Sequence, residues 1–328
     1  MSPKKRLMER AIEILRQSGQ EALEMAQEVI SRAKIEHQPL HEAMNFFMKD
    51  WEDVLHPALL SLACEAVGGK QELTTEIGAS IVLLAGGADV HDDVIDQSIV
   101  KDSHPTVYGK FGADLAILTG DALLFNGLYL LHGVCDSLPK DRKLLVLDII
   151  KKAFFNVTST EAKEAELRGN FHLSPEEYFN IIKAKVAVAE ATAKVGAIIG
   201  NGTTEEIEQM GNYGRVYGIL LTLRDEFIDI YDPIEVKNRA EKECLPLPIL
   251  VAFKKQKQKE KITSLLKLKE ITEKEIDEIL GLVLASEDVN DLKKEMFSMI
   301  EVEKKHLSNI KKRRNTLELL LTATMEDL

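Results

Sequence analysis

Val90-His91-Asp92-Asp93-Val94-Ile95-Asp96 decides the reading of this chain. The apolar run Ile81-Val82-Leu83-Leu84-Ala85 precedes it and reads as a buried helix. If that helix continues, Asp92 and Asp96 stand four apart and Asp93 and Asp96 three apart, which puts carboxylates on one helical face. Carboxylates so crowded repel one another unless a cation or water lies over them. Hard oxygen ligands of this kind suit Mg²⁺, which keeps several waters and is shared with substrate phosphates. Alone, the cluster reads as a solvated acidic turn. A second cluster, Asp225-Glu226-Phe227-Ile228-Asp229, repeats the spacing after the apolar run Gly218 to Leu223. Two such clusters, each ending an apolar helix, read as two walls of one metal–diphosphate site. Asp92, Asp93, Asp96, Asp225, Glu226 and Asp229 are its candidate metal ligands.

Composition narrows the function classes. With 42 basic and 54 acidic residues the 328-residue chain carries a formal charge of −12, which argues against nucleic acid as the main partner. Cys64, Cys135 and Cys244 show neither pairing nor metal spacing and read as buried thiols of a reducing, cytoplasmic protein. The N-terminus lacks an apolar signal core. The longest apolar stretch, Leu115 to Val134, contains Asp121, Asn126 and His132 and reads as a core helix with no transmembrane role.

Helical periodicity runs through most of the chain. It predicts helices over 5–35, 41–50, 53–66, 74–96, 113–135 and 141–168. Ser174-Pro-Glu-Glu then caps a helix running to about Ile199, and Glu205 to Asp229 carries the second carboxylate cluster. Residues 97–105 read as a polar loop and 232–248 as a charged loop. Lys311 to Arg314 reads as a solvated helix face. No stretch alternates like a strand, and no linker interrupts the pattern. The expectation is one all-α domain over 1–328, a bundle of long helices around a central cavity.

With these elements in order, the chain resembles the trans-polyprenyl diphosphate synthases. The resemblance rests on His91 to Asp96, Pro105-Thr-Val, Lys110-Phe-Gly112, Ala116 to Leu124, Tyr178 to Lys185, Gly218 to Asp229 and Lys242 to Pro246. It implies an isoprenoid synthase type I fold, Mg²⁺ as cofactor, and an allylic prenyl diphosphate as substrate. A homodimer is the implied assembly, with a heteromer as the other. Asp92, Asp93, Asp96, Lys185 and Asp225 take the catalytic positions. Lys185 and Lys242 match the lysines that hold the allylic diphosphate. Lys101 stands where the first of two adjacent arginines belongs, which keeps the charge and loses the fork.

The isopentenyl diphosphate side departs from the family. Its basic stretch before the first core helix reads here Glu52-Asp53-Val54-Leu55-His56-Pro57, its histidine falls on Ala85, and its second arginine falls on Asp102. Phe-Gln of the second motif is Leu221-Thr222. Loss on one side alone favours an enzyme that ionises an allylic diphosphate and passes the cation to another acceptor, held by Asp53, His56, Asp102 and His104, with the histidines as proton acceptors. An ordinary chain-elongating synthase and a non-catalytic partner subunit are the alternatives. Bulky residues before the first motif limit chain length in the family. Gly86-Gly87-Ala88 therefore reads as either close helix packing or an open floor for a long prenyl tail, the second reading making Gly87 and Ala88 substrate contacts.

Overall fold

Two carboxylate-bearing helices organise the protein. The computed structural model describes residues 5–101, 104–310, 312–326 and 328, so Asp102 and Lys311 lie outside the described residues. In chain order the first helices are α1 (Lys5–Ser31), α2 (Gln38–Asp50), α3 (Leu55–Ala66), α4 (Thr75–Ile95), α5 (Val107–Phe111), α6 (Ala113–Asp136) and α7 (Lys140–Glu166). They continue with α8 (Pro175–Lys185), α9 (Ala187–Ile199), α10 (Thr204–Asp229), α11 (Pro233–Lys242) and α12 (Leu247–Ala252). The C-terminal part is α13 (Gln256–Leu266), α14 (Glu273–Leu284), α15 (Glu287–His306) and α16 (Arg314–Ala323). This is the all-α fold the apolar spacing predicts.

α4 runs through the middle, apolar on all sides until its last turns, with Ile77, Val82, Leu83 and Val90 fully buried. Each such side chain contributes about 1.5–3 kcal/mol. α4 packs on α6 along small residues, where Ser80 Oγ donates to the Gly127 carbonyl at 2.8 Å. α9 packs between α3, α7 and α10, and its Val195 and Ile198 share an apolar cluster with Ile77 and Ile81 of α4. Reciprocal side-chain caps start the second half: Ser174 with Glu177 on α8, and Thr203 with Glu206 on α10.

Several expectations need correction. The helix expected over 174–199 is broken between Lys185 and Ala187. Residues 97–105 hold a short antiparallel pair, Val100–Lys101 with His104–Pro105. The 232–248 stretch is largely helical, because Asp232 accepts the Ile234 and Glu235 N–H groups and Pro233 fits the first turn. Arg313 lies before α16 in a left-handed conformation, φ 60°, and makes a forked pair with Glu65 at 2.9 and 3.0 Å, so Arg313 is off the helix, while Arg314 opens α16. α6 is a core helix on one side only. Among the described residues it is the one helix long and apolar enough to cross a membrane, and a third of its apolar window is buried (33%). Its other side exposes Ile117, Phe125, Leu128 and Tyr129, and α7 exposes Leu144 and Phe155.

Candidate active site

A cavity of about 350 Å³ opens between α3, α4, α7 and α9. Ile81, Leu84, Ala85 and Ala88 of α4 face Ile150, Val157, Val188 and Val195 across it. Its charged lining is Asp89, Asp92, Glu161 and Lys185. Asp92 and Lys185, predicted from opposite ends of the motif set, therefore border one apolar space.

The cations in this region are already partnered. Lys185 Nζ stands 3.2 Å from Glu161 Oε1 and also pairs with Glu164. The interruption at Val186 places Lys185 at a helix end beside α7. Lys101 Nζ bonds Asp89 Oδ1 at 2.7 Å, which gives Asp89 a partner the sequence did not suggest. Asp96 pairs with Arg168, just beyond α7. Burial pushes the Asp92 carboxyl up to about 8, with Asp96 and Glu161 adding to the rise and Lys185 opposing it. Burial and the Asp89 charge push Asp93 up to about 7 against the pull of Lys101. Asp92 Oδ1 is buried with no hydrogen-bond partner.

The second cluster divides between two roles. Asp225 is exposed and Asp229 half-buried, four apart on one face of α10. Burial lifts Asp229 to about 7, opposed by Arg239 and reinforced by Glu226. Glu226 does not join them. It points inward, one hundred degrees around the helix, where Oε1 accepts from Tyr178 Oη at 2.9 Å and from Arg239 at 2.8 Å, and Oε2 accepts the Leu247 N–H. Its carboxylate is spent on the protein interior, so the metal-ligand assignment for Glu226 is withdrawn. Arg239, from the stretch read as a loop, also bonds Asp229 at 2.6 Å and the Cys244 carbonyl at 2.8 Å. Glu243, 3.3 Å from Arg239, joins the two clusters. Burial raises it to about 7 against Arg239, and the charges of Asp96 and Glu164 contribute to the rise.

Among the described residues no three Asp, Glu, His or Cys side chains form a ready-made metal cage. Mg²⁺ needs none, since it binds through one or two carboxylates together with water and phosphate oxygens. The unpartnered Asp92 oxygen, in a cluster of carboxyls raised by burial and by one another's charge, fits a cation that arrives with a diphosphate.

Other expected site residues separate. A Cβ on Gly87 would stand 2.7 Å from Leu124 Cγ and 2.9 Å from the Gly120 carbonyl, so Gly87 faces α6 and packs closely. The open floor belongs to Ala85 and Ala88, which line the cavity. Lys242 ends α11 exposed. His56 lines the cavity, with Nδ1 2.9 Å from Asp53 Oδ2 and its backbone N–H donating to Asp53 Oδ1 at 3.1 Å. Arg168, Arg239, Glu161 and Glu164 went unnoticed, because single charged residues in charged stretches carry no spacing signal. The three cysteines are buried and free.

Residues 38–283 match the sequence profile of the Polyprenyl synthetase family. The chain belongs to that family. This polyprenyl synthetase-family chain is 28% identical over 192 residues to the geranylgeranyl diphosphate synthase of Sulfolobus acidocaldarius, with 58% of each chain covered. It is 29% identical to the short chain isoprenyl diphosphate synthase of Methanothermobacter thermautotrophicus, covering 68% of this chain and 67% of that one. The match thus spans 58% of the length of the first of these curated relatives. The geranylgeranyl pyrophosphate synthetase structure from Pyrococcus horikoshii superposes over the whole of both chains with a TM-score of 0.85 at 25% identity. The family's fold is therefore present from end to end, including α13 to α16.

Proposed function

We propose that this protein is a cytoplasmic, Mg²⁺-dependent prenyltransferase that ionises an allylic prenyl diphosphate and elongates it with isopentenyl diphosphate. One observation carries the allylic half: Asp92 and Lys185 border the same apolar cavity. Asp92, Asp93, Asp96, Asp225 and Asp229 are the carboxylates for the metal. Lys185 is the principal cation for the diphosphate, with Lys101 and Lys242 assigned to it from the motif register. Bound Mg²⁺ would neutralise charge on the departing diphosphate. Lys185 adds a second positive charge where that charge develops. The side chains of Ala85, Ala88, Val157 and Val188 surround the prenyl chain and keep water from the allylic cation. The activities in the names of the similar archaeal proteins support elongation as the transfer step.

A second reading is favoured by one observation. His56 and Ala85 replace cationic and histidine positions of the resemblance, and His56 is tied to Asp53. The cavity lining thus holds three carboxylates, Asp89, Asp92 and Glu161, against Lys185. A second diphosphate there would meet repulsion, and a neutral acceptor would not.

The exposed apolar side of α6 and α7 supports a homodimer, because a face of this extent is characteristic of interaction sites. The testing experiment supplies purified protein and Mg²⁺ with allylic diphosphates of graded length, with and without isopentenyl diphosphate, and reads products by mass spectrometry. Longer diphosphates that require isopentenyl diphosphate establish elongation. Diphosphate release indifferent to it establishes the second reading.

A further inference from the structure

His56 is the cavity's unused chemistry. Among the described residues that line the cavity, the polar ones are Trp51, His56, Asp89, Asp92, Glu161, Lys185 and Thr192. Asp89 is held by Lys101 and Glu161 by Lys185. Trp51 and Thr192 are not bases. Asp92 belongs to the metal cluster. That leaves the His56 imidazole, half-buried in the wall, with Nδ1 committed to Asp53 at 2.9 Å and Nε2 available. Asp53 is itself fixed by the His56 backbone N–H at 3.1 Å. A base on the substrate side, with a carboxylate behind it setting tautomer and orientation, is the arrangement by which proteins take protons from reacting groups.

We infer that His56, positioned by Asp53, takes the proton that prenyl transfer releases. This rests on the reading that the cavity carries out prenyl transfer. The C1–O bond of the allylic diphosphate breaks and its electron pair leaves with the diphosphate. A π or lone pair of the acceptor forms the new bond to C1. The acceptor then holds one proton in excess, which moves to His56 Nε2. The pair of the broken C–H or O–H bond stays with the product, as a new double bond or an oxygen lone pair. The Asp53 carboxylate balances the imidazolium that results. A hydroxyl-bearing acceptor can give its proton to the same imidazole, so such acceptors are admitted beside isopentenyl diphosphate.

The charged groups around His56 are Asp53 on its own segment, Asp89 and Asp92 on α4, Glu161 on α7 and Lys185 beside α9. Glu190 and Lys194 of α9 pair with each other at 3.1 Å, and Arg16 of α1 pairs with Glu52 at 3.8 Å. Asp53 is the one charge that holds the imidazole basic, raising it against the effect of burial.

The test uses the full chain with Mg²⁺ and farnesyl diphosphate, supplied with isopentenyl diphosphate and separately with phenol. Product formation and diphosphate release are followed across pH. His56→Asn keeps a donor toward Asp53 and removes the base. It is expected to slow product formation about 100-fold or more, to leave the KM for farnesyl diphosphate unchanged, and to reduce the acid limb of the rate profile to the part that the metal-binding carboxylates set. Asp53→Asn is expected to move that limb to lower pH and reduce the plateau rate, which loss of a purely structural contact would not do. His56→Asn that transfers within about threefold of the unsubstituted rate, with the same acid limb, overturns the inference and leaves the proposed function standing. If His56→Asn does not fold, an unmoved acid limb in Asp53→Asn overturns it instead. Absence of diphosphate release from the unsubstituted protein overturns the proposed function and this inference together.

Discussion

Arg239 Nη2 lies 2.8 Å from Glu226 Oε1, both side chains buried, at the point where α11 folds back on the second carboxylate helix. Neither charge has water to fall back on. Removing the arginine leaves Glu226 unpaired inside the protein. Arg239→Met should therefore cost about 3–5 kcal/mol of stability, read as a lower urea midpoint. Glu226→Gln keeps only one of the two acceptor oxygens, for Tyr178 and Arg239 or for the Leu247 N–H, but Arg239 still has Asp229 and Glu243 beside it, so it should cost less. Because Glu226 is turned away from the metal side, Glu226→Gln should leave the Mg²⁺ concentration for half-maximal diphosphate release unchanged.

Gly87 and Ala88 are neighbours on different faces of α4, and bulky replacements should separate them. Ala88→Phe projects into the cavity and should shorten the longest prenyl chain used or made, as seen by mass spectrometry. Gly87→Phe meets Leu124 and the Gly120 carbonyl. Its effect should be overpacking, about 1–3 kcal/mol or more, visible in thermal unfolding without the same change in chain length.

Raised carboxyl pKa values make stability depend on pH in a defined direction. Asp92 is raised to about 8, and Asp93 and Asp229 to about 7. The metal-free folded protein holds protons that the unfolded chain has already lost near pH 4. Its stability should fall as pH rises from about 4 and level off above about 8. Mg²⁺ added with inorganic diphosphate should reverse the loss most strongly at the alkaline end, since metal binding favours the ionised carboxylates. Thermal midpoints at pH 6 and 8.5, with and without the ligands, check this.

Lys185 neutralises carboxylates on α7 as well as facing the cavity. Lys185→Ala should weaken binding of an allylic diphosphate analogue about 10–100-fold, a loss of one charge-assisted contact of about 1.5–3 kcal/mol. It should also lower the thermal midpoint at neutral pH, because Glu161 and Glu164 lose the cation that pairs with both.

How far the sequence reached depends on whether a feature has a period. α4 and α10 were legible because apolar runs lead into carboxylates at helical spacing, and the family motifs lie on them. α11 was missed although Asp232-Pro233 is a helix-start signature, because its ten residues are too charged to show an apolar face. Arg239 was lost with it. The off-face position of Glu226 follows from helical geometry alone, as does the difference between Gly87 and Ala88. Which neighbour each face meets does not. The break at Val186 has no glycine or proline to announce it. At the break Val186 packs against α10, where Gly218 lets it approach.

Lys101, Lys185 and Arg168 are each bound to a carboxylate of the protein. On the proposed function, Asp89, Glu161 and Asp96 would be place-holders for a phosphate. Substrate binding at this mouth would then be an exchange of partners, in which the protein's own anions let go before a diphosphate is gripped. A bare diphosphate would be met by those displaced anions, whereas one that comes with metal would supply them with new counter-ions in the same event. The resting pairs would thus make metal and diphosphate enter together, and the affinity for either one alone would understate the affinity for both.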